Sequence, residues 1–425
     1  MTRTTENPWL ARFALATAFA SLVLICVGGL VTSHDAGMAV PDWPTSYGHS
    51  MFALPFQFWR GGAFFEHTHR LWASLVGLLV VALTRWLNGR AARRPLAIIG
   101  LMEVLAGFVI FFLWPNLKAT GHFLTGIGGV VLLAAWVWAQ NEPAERPLPQ
   151  LGWLAFALVQ FQGLLGGLRV VLFKDQIGIF HAALAQLFFV LLCVIALFTT
   201  QWWRKLKRLF PPRPVPRFDG FRAGSEIGAP KLRGLFLAAT ALIFLQLIVG
   251  ATMRHQHAGL AIPDFPTAYG RLWPATDADS IARYNQERVE ATGVNPITAF
   301  QIVLQMVHRV IAGAIVCLAA LGAWLTRGQL RWQNPLSKIS LAWFGLIMFQ
   351  TILGAATIWT GKSANMATAH VACGAVSLMT GAMLILLSLR GLVPVERQAR
   401  AAGEKTKPSE FAAEPAVVHD VRCRL

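Results

Sequence analysis

Four histidines occupy matched places in the chain, and each opens a long apolar run: His69 in "EHTHR" (66–70), His181 in "IFHAALAQL", His308 in "QMVHR" (305–309) and His370 in "ATAHVACGA". One histidine on an apolar helix is ordinary packing, but four in equivalent surroundings form a donor set. Two imidazoles on facing helices are what axial ligation of a porphyrin iron requires. Each offers one neutral nitrogen, and the helices leave a slot for a flat macrocycle. The reading is iron held by His69, His181, His308 and His370, with Gly163, Gly166, Gly167, Gly354, Ala355 and Ala356 as small residues that either admit the ring or simply pack helices. Arg70 and Arg309 follow a histidine directly, and either pair with porphyrin propionates or reach toward headgroups. Zinc fits poorly, because no carboxylate or thiolate cluster has tetrahedral spacing and the H-x-H of "EHTHR" points its rings to different helix faces.

The elements that must carry these residues are membrane helices. Of 425 residues 55% are hydrophobic and only 13% charged, a composition that excludes an ordinary soluble domain. About ten apolar runs of spanning length lie near 10–32, 66–87, 95–114, 119–140, 150–172, 177–200, 234–252, 301–326, 339–358 and 364–390. With the N-terminus inside, inner loops carry 16 Lys and Arg in 61 positions and outer loops 8 in 94, so both termini are read as cytoplasmic and the protein as multi-pass in the cell (inner) membrane. The net charge of +17 then reflects basic inner loops facing anionic lipid and calls for no nucleic acid. Cys26, Cys193, Cys317 and Cys373 fall in apolar runs and Cys423 in the tail, which leaves the large outer loops without a disulfide.

The chain also repeats. "AGMAVPDWPTSYG" (36–48) and "AGLAIPDFPTAYG" (258–270) agree at nine of thirteen positions without a gap. Each is followed by the His-Arg motif, by a Gln-x-x-x-Gly run ("QGLLGG", "QTILGA"), and by the second histidine. His69 and His181 are 112 residues apart, His308 and His370 only 62, and the surplus of 50 is one helical hairpin at about 95–140. The fold class is therefore all-α integral membrane: two parallel, pseudo-repeated four-helix bundles plus an inserted hairpin in the first. The domains are 1–200, a basic cytoplasmic linker 201–233, 234–390, and a disordered cytoplasmic tail 391–425. All four histidines enter from the outer side and lie at one depth. A cytochrome b type di-haem quinol oxidoreductase, the alternative function, wants its haems stacked along the membrane normal.

Taken in order, these motifs resemble the haem A synthase family, with the resemblance running from about residue 10 to 390. It implies an enzyme, a membrane oxidoreductase that converts haem O to haem A by successive hydroxylations of a ring methyl to formyl. A resident haem b is implied at His308 and His370, the substrate haem at His69 and His181, and an essential carboxylate at Glu66. The implied partners are haem O, an electron acceptor the sequence does not identify, haem O synthase or cytochrome oxidase assembly factors, and the lipid bilayer. Some members carry a cysteine pair in the first outer loop, and "SHDAGMAVPDWP" has none. The hairpin also brings a rival ligand, His122 in "KATGHFLTG", and a buried-span carboxylate, Glu103, read as packed or capped. Glu66 lies one turn before His69, where the second half has Gln305 before His308, so proton or cation chemistry is assigned to the first pocket only.

Overall fold

The computed structural model describes residues 7–137, 141–209, 228–292, 296–330, 332 and 334–389. In chain order its helices are α1 (Pro8–Ser33), α2 (Gly61–Asn88), α3 (Arg93–Leu113), α4 (Lys118–Val137), α5 (Leu148–Leu172), α6 (Asp175–Thr199), α7 (Gln201–Leu209), α8 (Gly228–His255), α9 (Ala278–Thr292), α10 (Ala299–Gln329), α11 (Pro335–Trp359) and α12 (Ala364–Ser388). Local signals start several of them. Asn7 accepts from the amides of Trp9 and Leu10 ahead of α1, Thr298 and Gln301 form a reciprocal capping box on α10, and Asn334 with Pro335 opens α11. Among the described residues nine helical runs are long and apolar enough to cross a membrane. One of them, Gly61–Leu113, holds both α2 and α3, broken at the turn Gly89–Ala92 where Gly89 takes φ 51°, so the runs contain ten spanning helices. The protein is a multi-pass helical membrane protein.

Helices α1, α2, α5 and α6 close a ring in which each touches two neighbours, and α8, α10, α11 and α12 close a second. The rings meet along α1 and α6 on one side and α8 and α12 on the other. In hydrocarbon the hydrophobic effect does not press helices together; close packing and interhelical hydrogen bonds do. Thus the Trp72 indole donates to Ala20 O at 2.8 Å, Thr84 Oγ1 to Gly152 O at 2.9 Å, and the fully buried Trp343 to Ser377 O at 2.9 Å. Each such bond contributes about 0.6 kcal/mol on average. Between the rings, Arg254 Nη2 donates to Gly29 O at 2.7 Å and Ser33 Oγ at 2.6 Å, tying the end of α8 to the end of α1.

The inserted hairpin is α3 with α4, packed backbone to backbone. A Cβ on Gly100 would lie 2.8 Å from Gly128 O, and one on Gly121 2.7 Å from Gly107 O, so only glycine permits the approach. Its far face, with Leu101, Met102, Leu105 and Phe112, is exposed toward lipid. Its near face belongs to the site, because Phe123 on α4 meets Trp43 at 5.5 Å and α4 forms part of the wall of the central cavity. Two segments carry helices that the apolar runs did not place. Part of the linker 201–233 is helix α7, which anchors through buried Trp203 and Leu206, while 210–227 and the tail 391–425 lie outside the described residues. The second long loop is longer than the first because it contains α9, whose Tyr284 stacks on Tyr269 at 3.7 Å.

Candidate functional site

One cavity of about 1670 Å³ runs through both rings at the end of the bundle that carries the two Pro-Asp-aromatic-Pro loops. His69, His181, His308 and His370 all line it. Drug-sized ligands occupy pockets of about 300–1,000 Å³, so this volume suits more than one large flat ligand.

In the second ring the His308 and His370 ring centres are 6.4 Å apart. A bound metal lies about 2.0 Å from an imidazole nitrogen, itself roughly 1.1 Å from the ring centre, so two imidazoles across one ion have centres about 6.2 Å apart. The spacing fits axial ligation. In the first ring His69 and His181 line the same cavity from α2 and α6. Among the described residues no group hydrogen-bonds the buried Nδ1 atoms of His69, His181 and His308, which leaves the Nε2 edges toward the cavity; His370 Nδ1 contacts Gln350 O at 3.1 Å. Among the described residues no three His, Cys, Asp or Glu gather, so the donors come in pairs, the number an iron already held by four ring nitrogens accepts.

Each imidazole rests against a glycine of the next helix. A Cβ on Gly28, Gly166, Gly250 or Gly354 would fall 3.1, 3.6, 3.4 or 3.0 Å from Cε1 of His69, His181, His308 or His370 respectively. The Gln-x-x-x-Gly pattern thereby acquires two jobs. Gln162 and Gln350 donate to the carbonyls of His181 and His370 at 3.2 and 2.9 Å, and the glycine four residues on makes room for the ring. Gly28 and Gly250 escaped the sequence reading, although they lie 222 positions apart, the same offset as the quoted repeat.

The loops above the cavity are built alike. Asp42 takes the amides of Tyr47 at 2.6 Å and Gly48 at 2.8 Å; Asp264 takes those of Tyr269 at 2.7 Å and Gly270 at 3.0 Å. Partial burial alone would raise the Asp42 carboxyl, but hydrogen bonds from Thr45, Gly48 and Tyr47 outweigh it and hold it below the usual carboxylate range. Asp264 is held down in the same way by Gly270, Thr267 and Tyr269. The bonds Trp43-Pro44 and Phe265-Pro266 are both cis. The Trp43 ring lies against Gly167 of α5, where a Cβ would come within 2.5 Å, and so closes the mouth of the first pocket.

Glu66 is buried, with Oε2 accepting from Val40 N at 2.8 Å and Oε1 paired to Arg70 at 2.7 Å. Gln305 holds Ile262 N at 2.7 Å in the same manner, so both residues fasten loop to helix and only the first brings a charge. Arg70 and Arg309 both line the cavity and also donate to the loops above it. Arg70 donates to Asp42 O at 2.7 Å and Thr45 O at 2.9 Å, Arg309 to Asp264 O at 2.6 Å and Thr267 O at 2.8 Å; their forks are taken up by equivalent loop carbonyls, since a desolvated guanidinium needs acceptors wherever it lies. His67 points to the loop, edge-on to Trp59 at 4.6 Å, apart from His69. His122 and Glu103 also line the cavity; His122 meets Phe111 of its own hairpin at 4.5 Å with the rings tilted by 59°, and Glu103 is capped by Gln160 Nε2 at 2.6 Å.

Comparison with known proteins agrees with this geometry. A protein of Rhizorhabdus wittichii named Heme A synthase is 25% identical over 377 residues, covering 85% of this chain and 89% of its own. One of the same name from Novosphingobium aromaticivorans is 25% identical over 376 residues, 86% of this chain and 91% of its own. A third, from Granulibacter bethesdensis, is 30% identical over 280 residues, 64% and 65% of the two chains. The family model COX15-CtaA, cytochrome oxidase assembly protein, matches residues 122–383, more than half of the chain, and takes in His181, His308 and His370. With its paired histidines and relatives of one name, the chain belongs to the COX15-CtaA family of cytochrome oxidase assembly proteins.

Proposed function

We propose that the protein converts haem O to haem A. The observation that carries this reading is the single cavity lined by two histidine pairs, with an acid beside the first pair and an amide beside the second. In this reading haem O sits between His69 and His181, and a resident haem b between His308 and His370, where the 6.4 Å ring spacing supports the assignment. Haem b, when bound, supplies one-electron redox chemistry. Two hydroxylations of the ring methyl carbon, each taking its oxygen from a water and releasing two electrons and two protons, give a geminal diol, which loses one water to leave the formyl group; the four electrons pass to an acceptor that is a further partner.

The chain's own residues do three things. The histidines, each seated against its facing glycine, would hold the haem irons. Trp43 and the Asp42-capped loop exclude water from the pocket mouth. Glu66, held by Val40 N and Arg70, sets a fixed negative charge one turn from His69, where it stabilises positive charge developing at the oxidised carbon or accepts its proton. The protein works in the cell membrane with both termini cytoplasmic, as the basic-residue asymmetry supports. Chromatography of haems extracted from the purified protein tests the function: haem b together with haem O or haem A supports it, and haem b alone would transfer the chain to the di-haem electron carriers.

A further inference from the structure

We infer that Arg169 and Lys362 bind the ring carboxylates of the two haems, one cation in each half. The arginines next to the histidines already donate to loop carbonyls, and Arg254, which also lines the cavity, donates to Gly29 O and Ser33 Oγ. Two further cations line the cavity and are left to meet the carboxylates that every haem carries: Arg169, near the end of α5, and Lys362, in the turn after α11.

Their placement is matched in a way their sequence positions are not. A Cβ on Gly37 would lie 2.5 Å from Arg169 Nη2, and one on Gly259 3.8 Å from Lys362 Cδ. Gly37 and Gly259 are equivalent positions of the repeat, each three residues before the residue that Glu66 or Gln305 holds. Arg169 and Lys362 come from non-equivalent places, the first three residues after Gly166, the second eight residues after Gly354. Two different routes thus deliver one positive charge to the same spot above each histidine pair. Helix α5 rises toward the loops, so Arg169 lies one turn beyond the glycine that faces His181, about 4.5 Å further along the axis.

Neither cation is consumed by the protein. Among the described residues no hydrogen bond or ion pair engages the side chain of Arg169 or Lys362. The acids that act on Arg169 are Glu66, which is paired to Arg70, and Asp175, which is largely exposed and lies 3.5 Å from His255 Nδ1. A guanidinium half-buried in an apolar cavity without an acceptor is costly, and a carboxylate is the ligand group that offsets the cost with paired hydrogen bonds.

The inference rests on the functional reading, and its test separates the two. Full-length protein in detergent is titrated with haem b and with haem b dimethyl ester, which keeps the iron and ring and loses both charges; for Arg169 the probes are haem O and its dimethyl ester. Wild-type protein should prefer the acid over the ester by roughly ten- to a hundredfold, the usual worth of a hydrogen bond to a charged group. In Lys362→Gln, haem b should fall to the ester's affinity while the ester is unchanged, and Lys362→Arg should restore the preference. Arg169→Gln should do the same for haem O only, leaving haem b in place. Equal affinity of the wild type for acid and ester, with bis-histidine spectra intact, would overturn the assignment alone. Wild-type protein that took up neither haem would overturn the functional reading with it.

Discussion

Glu66→Gln makes the first half resemble the second, and its consequence follows from what Gln305 already does. The amide oxygen of Gln305 holds Ile262 N at 2.7 Å, so a glutamine at 66 keeps the equivalent bond to Val40 N. What it removes is the pair with Arg70, between side chains only 6% and 8% exposed. Breaking a wholly buried ion pair costs about 3–5 kcal/mol. Arg70 retains the carbonyls of Val40, Asp42 and Thr45, and Arg309 in the other half is held without any acid, so the loss here should be that of one charged hydrogen bond, about 1.5–3 kcal/mol. Against total stabilities of about 5–15 kcal/mol the variant folds. It should therefore keep haem b and its spectrum, while haem A formation falls by at least about a hundredfold, the lower range for losing a positioned acid or base. Haems extracted from expressing cells and separated by chromatography should show haem O or a hydroxylated intermediate. Wild-type amounts of haem A from a well-folded Glu66→Gln protein would refute a chemical role and leave Glu66 as a fastener of the loop.

The reciprocal Gln305→Glu should leave haem A synthesis largely intact by the same chromatography, since it adds charge only beside Arg309. His308→Ala and His370→Ala should each remove the six-coordinate haem b spectrum without disturbing membrane insertion, and a full spectrum in either would sink that ligand assignment. Asp264→Asn should lower the thermal midpoint at neutral pH through the loss of about 1–2 kcal/mol of amide hydrogen bonding. Because the Asp264 carboxyl is held below its ordinary value, its contribution is present above about pH 4 and lost as pH falls through the folded value, so the gap between wild type and variant should close in acid; a gap that widened there would reverse the sign. Removal of the α3–α4 hairpin by joining Gly89 to Leu148 links chain ends that already lie together, since Asn88 Nδ2 donates to Pro149 O at 3.2 Å. The shortened protein should insert and bind haem b, but lose part of the cavity wall of the first half and with it affinity for the substrate haem.

The sequence by itself determined whatever depends on period, composition and local order. Runs of apolar residues near 20 in length specify helices that satisfy their own backbone in lipid, so the number of spans and the place of the four histidines were legible without coordinates. The offset repeat likewise told that Glu66 and Gln305 occupy like positions. Tertiary structure decided what each polar group touches. Arg70 and Arg309 read as partners of propionates or of headgroups because they neighbour histidines, and only the folded loops add the carbonyls of Asp42 and Asp264 to what they hold. Gly28 and Gly250 escaped the sequence reading, because only the approach of a neighbouring helix shows whose ring fills the space. Arg169 and Lys362 carry no shared motif at all. Their convergence on Gly37 and Gly259 depends on where two loops fold back over two rings of helices, and distances between residues more than 100 positions apart are set by packing, which no local pattern encodes.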